Sequence, residues 1–124
     1  METLKIEAGE KNPAVTFDPS GALLLKGRSI PENSLDFYQD LFSWLDQYSS
    51  APAGNTTLTV QLEYFNTSSS KCLLDLFRKL ESIKSAGNSQ VNIIWLYDED
   101  DEDIMEAGED YQSIVEVPIE LRAV

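Results

Sequence analysis

The residues Thr67-Ser68-Ser69-Ser70 set four hydroxyls in succession, with Tyr64-Phe65-Asn66 before them and Lys71 after. The run lies between a segment of alternating apolar residues and one of helical apolar spacing, so it reads as a helix start. Ser and Thr oxygens there accept hydrogen bonds from backbone N–H groups that have no intrahelical partner. The same hydroxyls can take a phosphoryl group. A phosphate at that place meets the free N–H groups and the positive end of the helix dipole, and adds about −1.5 to −2 charges at neutral pH. Two roles fit the run: a polar cap and nothing more, or a reversible modification site.

A second cluster, Asp98-Glu99-Asp100-Asp101-Glu102-Asp103, offers oxygen ligands of the kind that hold Mg²⁺ or Ca²⁺. It lacks the glycine at position six and the terminal glutamate of an EF-hand loop. The alternatives are a solvated acidic face and a docking surface for a basic partner; no metal or other cofactor is expected. Enzymatic machinery is hard to assemble from the remaining residues. The chain contains no histidine, which excludes His-based triads, His-ligated zinc and imidazole acid–base catalysis. Ala53-Gly54-Asn55-Thr56-Thr57 lacks the second glycine and the lysine of a phosphate-binding loop. Only a carboxylate-based, metal-dependent hydrolase survives as an enzymatic rival.

The elements that must position these residues are legible in the pattern. Leu4/Ile6, Val15/Phe17 and Ala22–Leu25 are strand candidates, and Asp18-Pro19-Ser20-Gly21 joins the last two as the turn of an N-terminal β-hairpin. A helix is expected from Ser34 to Tyr48, capped by Asn33 or Ser34, with Leu35, Tyr38, Leu41, Phe42, Leu45 and Tyr48 on one stripe. Phe37 and Trp44 fall on the flank of that stripe. They fit either a helix packed on two neighbours or, with Asp40, a partner-binding surface rich in aromatics. Leu58, Val60, Leu62 and Tyr64 alternate with polar residues as one half-buried strand. The hydroxyl run then opens a helix bearing Leu73, Leu76, Phe77, Leu80 and Ile83, and Gly87 ends it. Val91 to Leu96 form a nearly continuous apolar strand, of the kind buried on both faces.

A strand–helix–strand order of this kind implies parallel neighbours joined by a right-handed crossover. Thr67 would then sit at the carboxyl end of a central strand, where α/β proteins build their sites, and the acidic run would leave the same edge. A short helix over residues 101–111 and a last strand over 114–121 complete the chain, with Pro118 marking that strand as an edge.

Composition agrees with one domain of 124 residues. Twelve aromatics and 42% hydrophobic residues are enough for a packed core. The formal charge is −13, and nine of the 22 carboxylates lie between Asp98 and Asp110, a field that repels nucleic acid and anionic membranes. The single cysteine, Cys72, falls on the apolar pattern as a small buried residue. The N-terminus carries no apolar leader, and no segment approaches the ~20 apolar residues that would span a bilayer, so a cytoplasmic protein is expected.

Taken together, Ser29-Ile30-Pro31-Glu32-Asn33-Ser34, Trp44-Leu45, Tyr48, the stretch Tyr64 to Asp75, Trp95, Tyr97 to Asp103 and Gly108-Glu109-Asp110 resemble the SiaC family of bacterial regulatory phosphoproteins, also described as a domain of unknown function. The paired hydroxyl and acidic runs carry the resemblance; Ile30 departs from an expected aromatic, and the first twelve residues contribute nothing to it. It implies a fold similar to the anti-sigma-factor antagonist (STAS) domain: an α/β protein with helices packed on a mixed sheet and no catalytic activity. It further implies that Thr67, with Ser68 as the alternative, is phosphorylated by a partner kinase and dephosphorylated by a PP2C-type phosphatase. The unphosphorylated form would bind and activate a diguanylate cyclase. A partner-switching antagonist of an anti-sigma factor is the rival of the same fold.

The expected partner surface comprises Asn66, Ser68, Ser69, Ser70 and Lys71, the carboxylates Asp98, Asp100, Asp101 and Asp103, and Phe37 with Trp44. A phosphate on Thr67, beside those carboxylates, would repel or dehydrate a partner that reads the neutral hydroxyl. Lys71 and Arg78 would partly neutralise that phosphate in the free protein.

Overall fold

In the computed structural model, which describes residues 1–124, six strands form one sheet in the order β1-β2-β3-β4-β5-β6. The strands β1 (Leu4–Ile6), β2 (Ala14–Phe17) and β3 (Ala22–Ser29) pair antiparallel, and the expected hairpin is the β2–β3 pair, with Phe17 opposite Leu23. Asp18 shapes its turn by accepting from the Ser20 N–H at 2.8 Å. From β3 onward, β4 (Asn55–Phe65), β5 (Gln90–Tyr97) and β6 (Ile119–Ala123) are parallel. They are joined by α1 (Ser34–Tyr48), α2 (Thr67–Ser85) and α3 (Glu102–Ile114).

Because strand order advances in one direction, right-handed crossovers place the three helices on one face. Burial follows that geometry. Leu23, Leu25, Leu58, Val60, Val91, Ile93 and Trp95 are buried beneath the helices, while Leu24, Thr57, Thr59 and Ile94 on the other face are half-buried. β5 is therefore covered on one side only, against the expectation of two: its continuous apolar run conceals an ordinary alternation.

The alternation of β4 also fails at its end. Gly27 pairs with Leu62 but Arg28 pairs with Tyr64, so Glu63 is an extra residue and the in–out phase reverses. Tyr64 turns outward, and Phe65 takes the inward place, its ring edge-on to Trp95 at 6.1 Å. Gly27, at φ +123°, supplies the backbone shape of that irregular step.

α1 has the expected limits, and Asn33 caps it by accepting from the Asp36 N–H at 3.1 Å. Leu35 does not join the stripe. It is 62% exposed, since the first turn overhangs the core and Ser34 faces inward in its stead. Trp44 is likewise corrected from a surface role: it is buried, stacked on Tyr48 at 5.0 Å and edge-on to Phe17 at 5.5 Å. Its Nε1–H donates to the Glu2 carbonyl at 2.9 Å, so the N-terminal segment seals it. Phe37 is half-buried, edge-on to Tyr38 at 5.1 Å.

α3 runs three residues past Tyr111 to Ile114, and β6 begins at Ile119 rather than 114. Between them Val115 is extended, and both Val115 and Val117 are buried as connectors. β6 is an edge strand, as Pro118 implied. Gly108 lets α3 lie close to the sheet, because a Cβ there would come within 2.6 Å of the Trp95 ring. No helix is long and apolar enough to cross a membrane.

Candidate functional site

At the carboxyl end of β4, the Asn66 N–H donates to the Ser29 carbonyl at 3.1 Å, which fixes the chain where α2 begins. Asn66 itself is the cap, its Oδ1 accepting from the Ser69 N–H at 2.9 Å. The amide thus does the capping expected of a hydroxyl, and the hydroxyls are released for other bonds.

Three of the four hydroxyls are used. Ser69 is fully buried and bonds Ser29 at 2.8 Å and Ser34 at 3.3 Å; Ser29 in turn bonds the Tyr38 hydroxyl at 2.7 Å. Ser68 bonds Ser34 at 2.7 Å and donates to Asn66 Oδ1 at 3.2 Å. Ser70 bonds the Tyr111 hydroxyl at 3.0 Å, and that hydroxyl donates to the Ser70 carbonyl at 2.8 Å. Burial pushes the Tyr38 and Tyr111 hydroxyls above their ordinary range, so the network is neutral at physiological pH. Thr67 is different. Its side chain is exposed and makes no hydrogen bond within the protein.

The network recruits Ser29, Ser34, Tyr38 and Tyr111, to which the sequence alone gave no role at the site. Their signal was present. A tyrosine on a buried stripe needs a partner for its hydroxyl, and serines at a strand end and a helix start are the candidates to supply it.

Thr67 opens onto a groove between α2 and α3. Leu74, Ala107, Tyr111 and Ile114 give the groove an apolar lining, and Lys71 and Asp110 stand with Thr67 on its rim. Lys71 is thus placed as expected for neutralising a phosphate. Arg78 is not: its guanidinium binds Glu81 at 2.9 and 3.0 Å and the Ile114 carbonyl at 3.1 Å. Glu81 is partly desolvated, which would raise its pKa, but bonds from the Glu116 N–H and Arg78 outweigh this and hold its carboxyl below the usual range.

The acidic run leaves the same edge of the sheet as Thr67 but forms a concavity of its own, lined by Asp98, Asp100, Asp101, Glu102 and Asp103. The carboxylate that shares a groove with Thr67 is Asp110. Two members of the run have local duties: Asp98 accepts from the Asp100 N–H at 3.0 Å, and Asp101 caps α3 by accepting from the Ile104 N–H at 3.1 Å. Asp100 and Asp103 are exposed. No three carboxylates converge closely enough to hold a metal ion.

Comparison with known proteins gives concordant results. Residues 6–124 match the family model described as SiaC family regulatory phosphoprotein, so the match includes part of the first twelve residues, against the expectation that they contribute nothing. An uncharacterized protein of Pseudomonas aeruginosa strain UCBPP-PA14 is 29% identical over 124 residues, covering 99% of this chain and 98% of that one. Among solved structures, SiaC of Pseudomonas aeruginosa superposes with a TM-score of 0.90 at 28% identity, with both chains fully covered. A chain in the crystal structure of the diguanylate cyclase SiaD in complex with its activator SiaC, also from Pseudomonas aeruginosa, gives 0.90 at 29% identity, covering 98% of this chain and 99% of that one.

Proposed function

This chain belongs to the SiaC family of regulatory phosphoproteins, and from that premise we propose that it is a phosphorylation-controlled activator of a diguanylate cyclase. Its role is regulatory rather than catalytic. The partner is supported by the relative, since SiaC of Pseudomonas aeruginosa is the activator in the solved complex with SiaD; this favours a cyclase over an anti-sigma factor.

The observation that carries the switch is the state of Thr67. Among the hydroxyls of residues 67–70, it alone is exposed and free of intramolecular bonds. A kinase transfers the γ-phosphoryl of ATP to Thr67 Oγ1, the hydroxyl proton passes to a base on the kinase, and ADP leaves. A PP2C-type phosphatase reverses the step by hydrolysis. The product is well accommodated in the free protein, because first-turn N–H groups, the helix dipole and Lys71 all receive the charge. Asn66 and the bonded Ser68, Ser69 and Ser70 hold Thr67 in place, and Asp100 with Asp103 contributes to steering. With a kinase and a cyclase that use ATP and GTP, the work is cytoplasmic, and one domain suffices for it.

Incubation with the cognate kinase and ATP, followed by peptide mass spectrometry, tests the assignment. Phosphate is expected on Thr67 and lost in Thr67→Ala. Undiminished modification of that variant, at Ser68 or elsewhere, would refute it.

A further inference from the structure

The sheet face turned away from the three helices has no cover within the chain. Strands β3 to β6 are parallel, and parallel sheets are ordinarily covered on both faces; here the helices cover one. Leu24, Thr59 and Ile94 lie in direct register across β3, β4 and β5 on the bare face, half-buried by their neighbours, and Leu96 extends the apolar strip. The charges there are also unlike those of the chain as a whole. By strand alternation Lys5, Lys26, Arg28 and Arg122 stand on this face, with Glu63 and Glu120 as its acidic strand residues, in a protein of net charge −13.

One row of residues across the sheet says what fits this face. The register pairs Lys5 with Thr16, Thr16 with Leu24, Leu24 with Thr59, Thr59 with Ile94, and Ile94 with Glu120. A single line therefore crosses all six strands, from a lysine on one edge to a glutamate on the other. Lys5 forms no ion pair within the protein. Glu120 holds Arg122 through Oε2 alone, which leaves Oε1 unengaged. Strand spacings of about 4.8 Å put the two ends of the row roughly 24 Å apart, so they cannot meet within one chain.

We propose that this face docks on the same face of a second copy, the two sheets related by a two-fold axis that runs along the strands between them. Such an axis reverses the row. Lys5 of each protomer then meets the partner's Glu120, Thr16 meets the partner's Ile94, and Leu24 meets the partner's Thr59, with no like charges opposed along the line. Aligned sheets pack in this way about 10 Å apart, their strands within about 30° of one another. The balance of charge on this face matters as much as the apolar strip, because an acidic chain approaching itself elsewhere is repelled. A face of about 24 by 20 Å buries roughly 1,000 Å² over both copies, the low end of specific interfaces, so the dimer is weak and reversible. The helices and Thr67 remain on its outer surfaces.

The test is sedimentation equilibrium of the purified full chain over a range of concentrations. The average mass is expected to rise from one chain toward two between about 10 and 500 μM, as suits so small an interface. Ile94→Lys, in the middle of the strip, removes the rise, while Leu35→Glu, an exposed position on α1, leaves it in place. Lys5→Glu and Glu120→Lys each weaken dimerisation about fivefold, and the double variant recovers it to within about twofold, because the exchanged charges again meet their opposites across the axis. That recovery separates the proposal from a structural role within one chain, since residues on opposite edges of one sheet cannot compensate each other. A chain that stays monomeric throughout overturns the proposal, as does a dimer indifferent to Ile94→Lys or a double variant no better than the singles. Protection of this face from hydrogen exchange only when the cyclase is added would assign it to that partner and likewise overturn the dimer.

Discussion

Two hydroxyl networks stand at opposite edges of the parallel strands, built from the same chemistry to different ends. At the amino edge, the Tyr48 hydroxyl bonds Thr56 at 2.7 Å and accepts from the Ala53 N–H at 3.1 Å, and Thr56 bonds Ser89 at 2.7 Å. Tyr48, Thr56 and Ser89 are all buried, and the group is closed. At the carboxyl edge, the chain Tyr38–Ser29–Ser69–Ser34–Ser68 begins in the core and ends at an exposed serine beside a threonine that has no partner. Hydroxyl content therefore does not mark a modification site. The two edges differ in Thr67, an exposed hydroxyl without a partner in the protein at the open end of the second network.

The contrast is sharpest in substitutions that break one network at a time. Thr56→Val keeps the shape but deprives both Tyr48 and Ser89 of a partner, and should cost about 2 kcal/mol, within the range for orphaning a buried polar group. Urea unfolding measures this loss, and cyclase binding is expected to be unchanged. Ser69→Ala should cost only about 1 kcal/mol, because Ser29 keeps Tyr38 and Ser34 keeps Ser68. Equal losses from the two variants would erase the distinction between a closed group and an open chain.

Alkaline stability probes the buried end of the carboxyl-edge network. Burial raises the Tyr38 hydroxyl above its ordinary value of 10.0, so the folded state holds this proton when the unfolded chain releases it. Its contribution is complete below pH 10 and is lost as pH rises through the folded value. Tyr38→Phe should be less stable near neutrality, for want of the Ser29 bond, and its stability should fall less steeply above pH 10. Parallel slopes for the two proteins in denaturant titrations would contradict this.

The smallest effect is expected in the acidic run, which shares the sheet edge with Thr67 but not its groove. Replacing Asp100, Asp101 and Asp103 together by Asn should slow association with the cyclase several-fold and flatten its salt dependence, with little change in the dissociation rate. Stopped-flow binding at two ionic strengths reads both. An unchanged association rate would leave the run as a solvated surface.

Much of this arrangement was legible in the residues themselves. The helical spacing of Leu73, Leu76, Phe77 and Leu80 located α2, and turn residues located the hairpin. The strand-to-helix order put Thr67 at the carboxyl end of β4. The misses share a cause: each depended on a neighbour distant in sequence. Trp44 is covered by a carbonyl 42 residues away, Tyr64 turns outward because of a register shift against β3, and β5 has one bare face because all the helices lie on the other. The separation of Thr67 from Asp98–Asp103 is of the same kind, since the run lines a concavity of its own while Thr67 faces the groove lined by α2 and α3. Asn66 was a missed local signal, for Asn is among the preferred cap residues and here leaves Thr67 free.

The central claim is that phosphate on Thr67 releases the cyclase. Titration calorimetry of that enzyme with the unmodified protein, Thr67→Ala and the enzymatically phosphorylated form tests it most directly. Thr67→Ala removes a hydroxyl that bonds nothing in the protein and adds no charge, so it should bind like the unmodified chain. The phosphorylated form should bind about a hundredfold more weakly, a difference of ~3 kcal/mol. Binding by the phosphorylated form that equals or exceeds that of the unmodified protein would contradict the account.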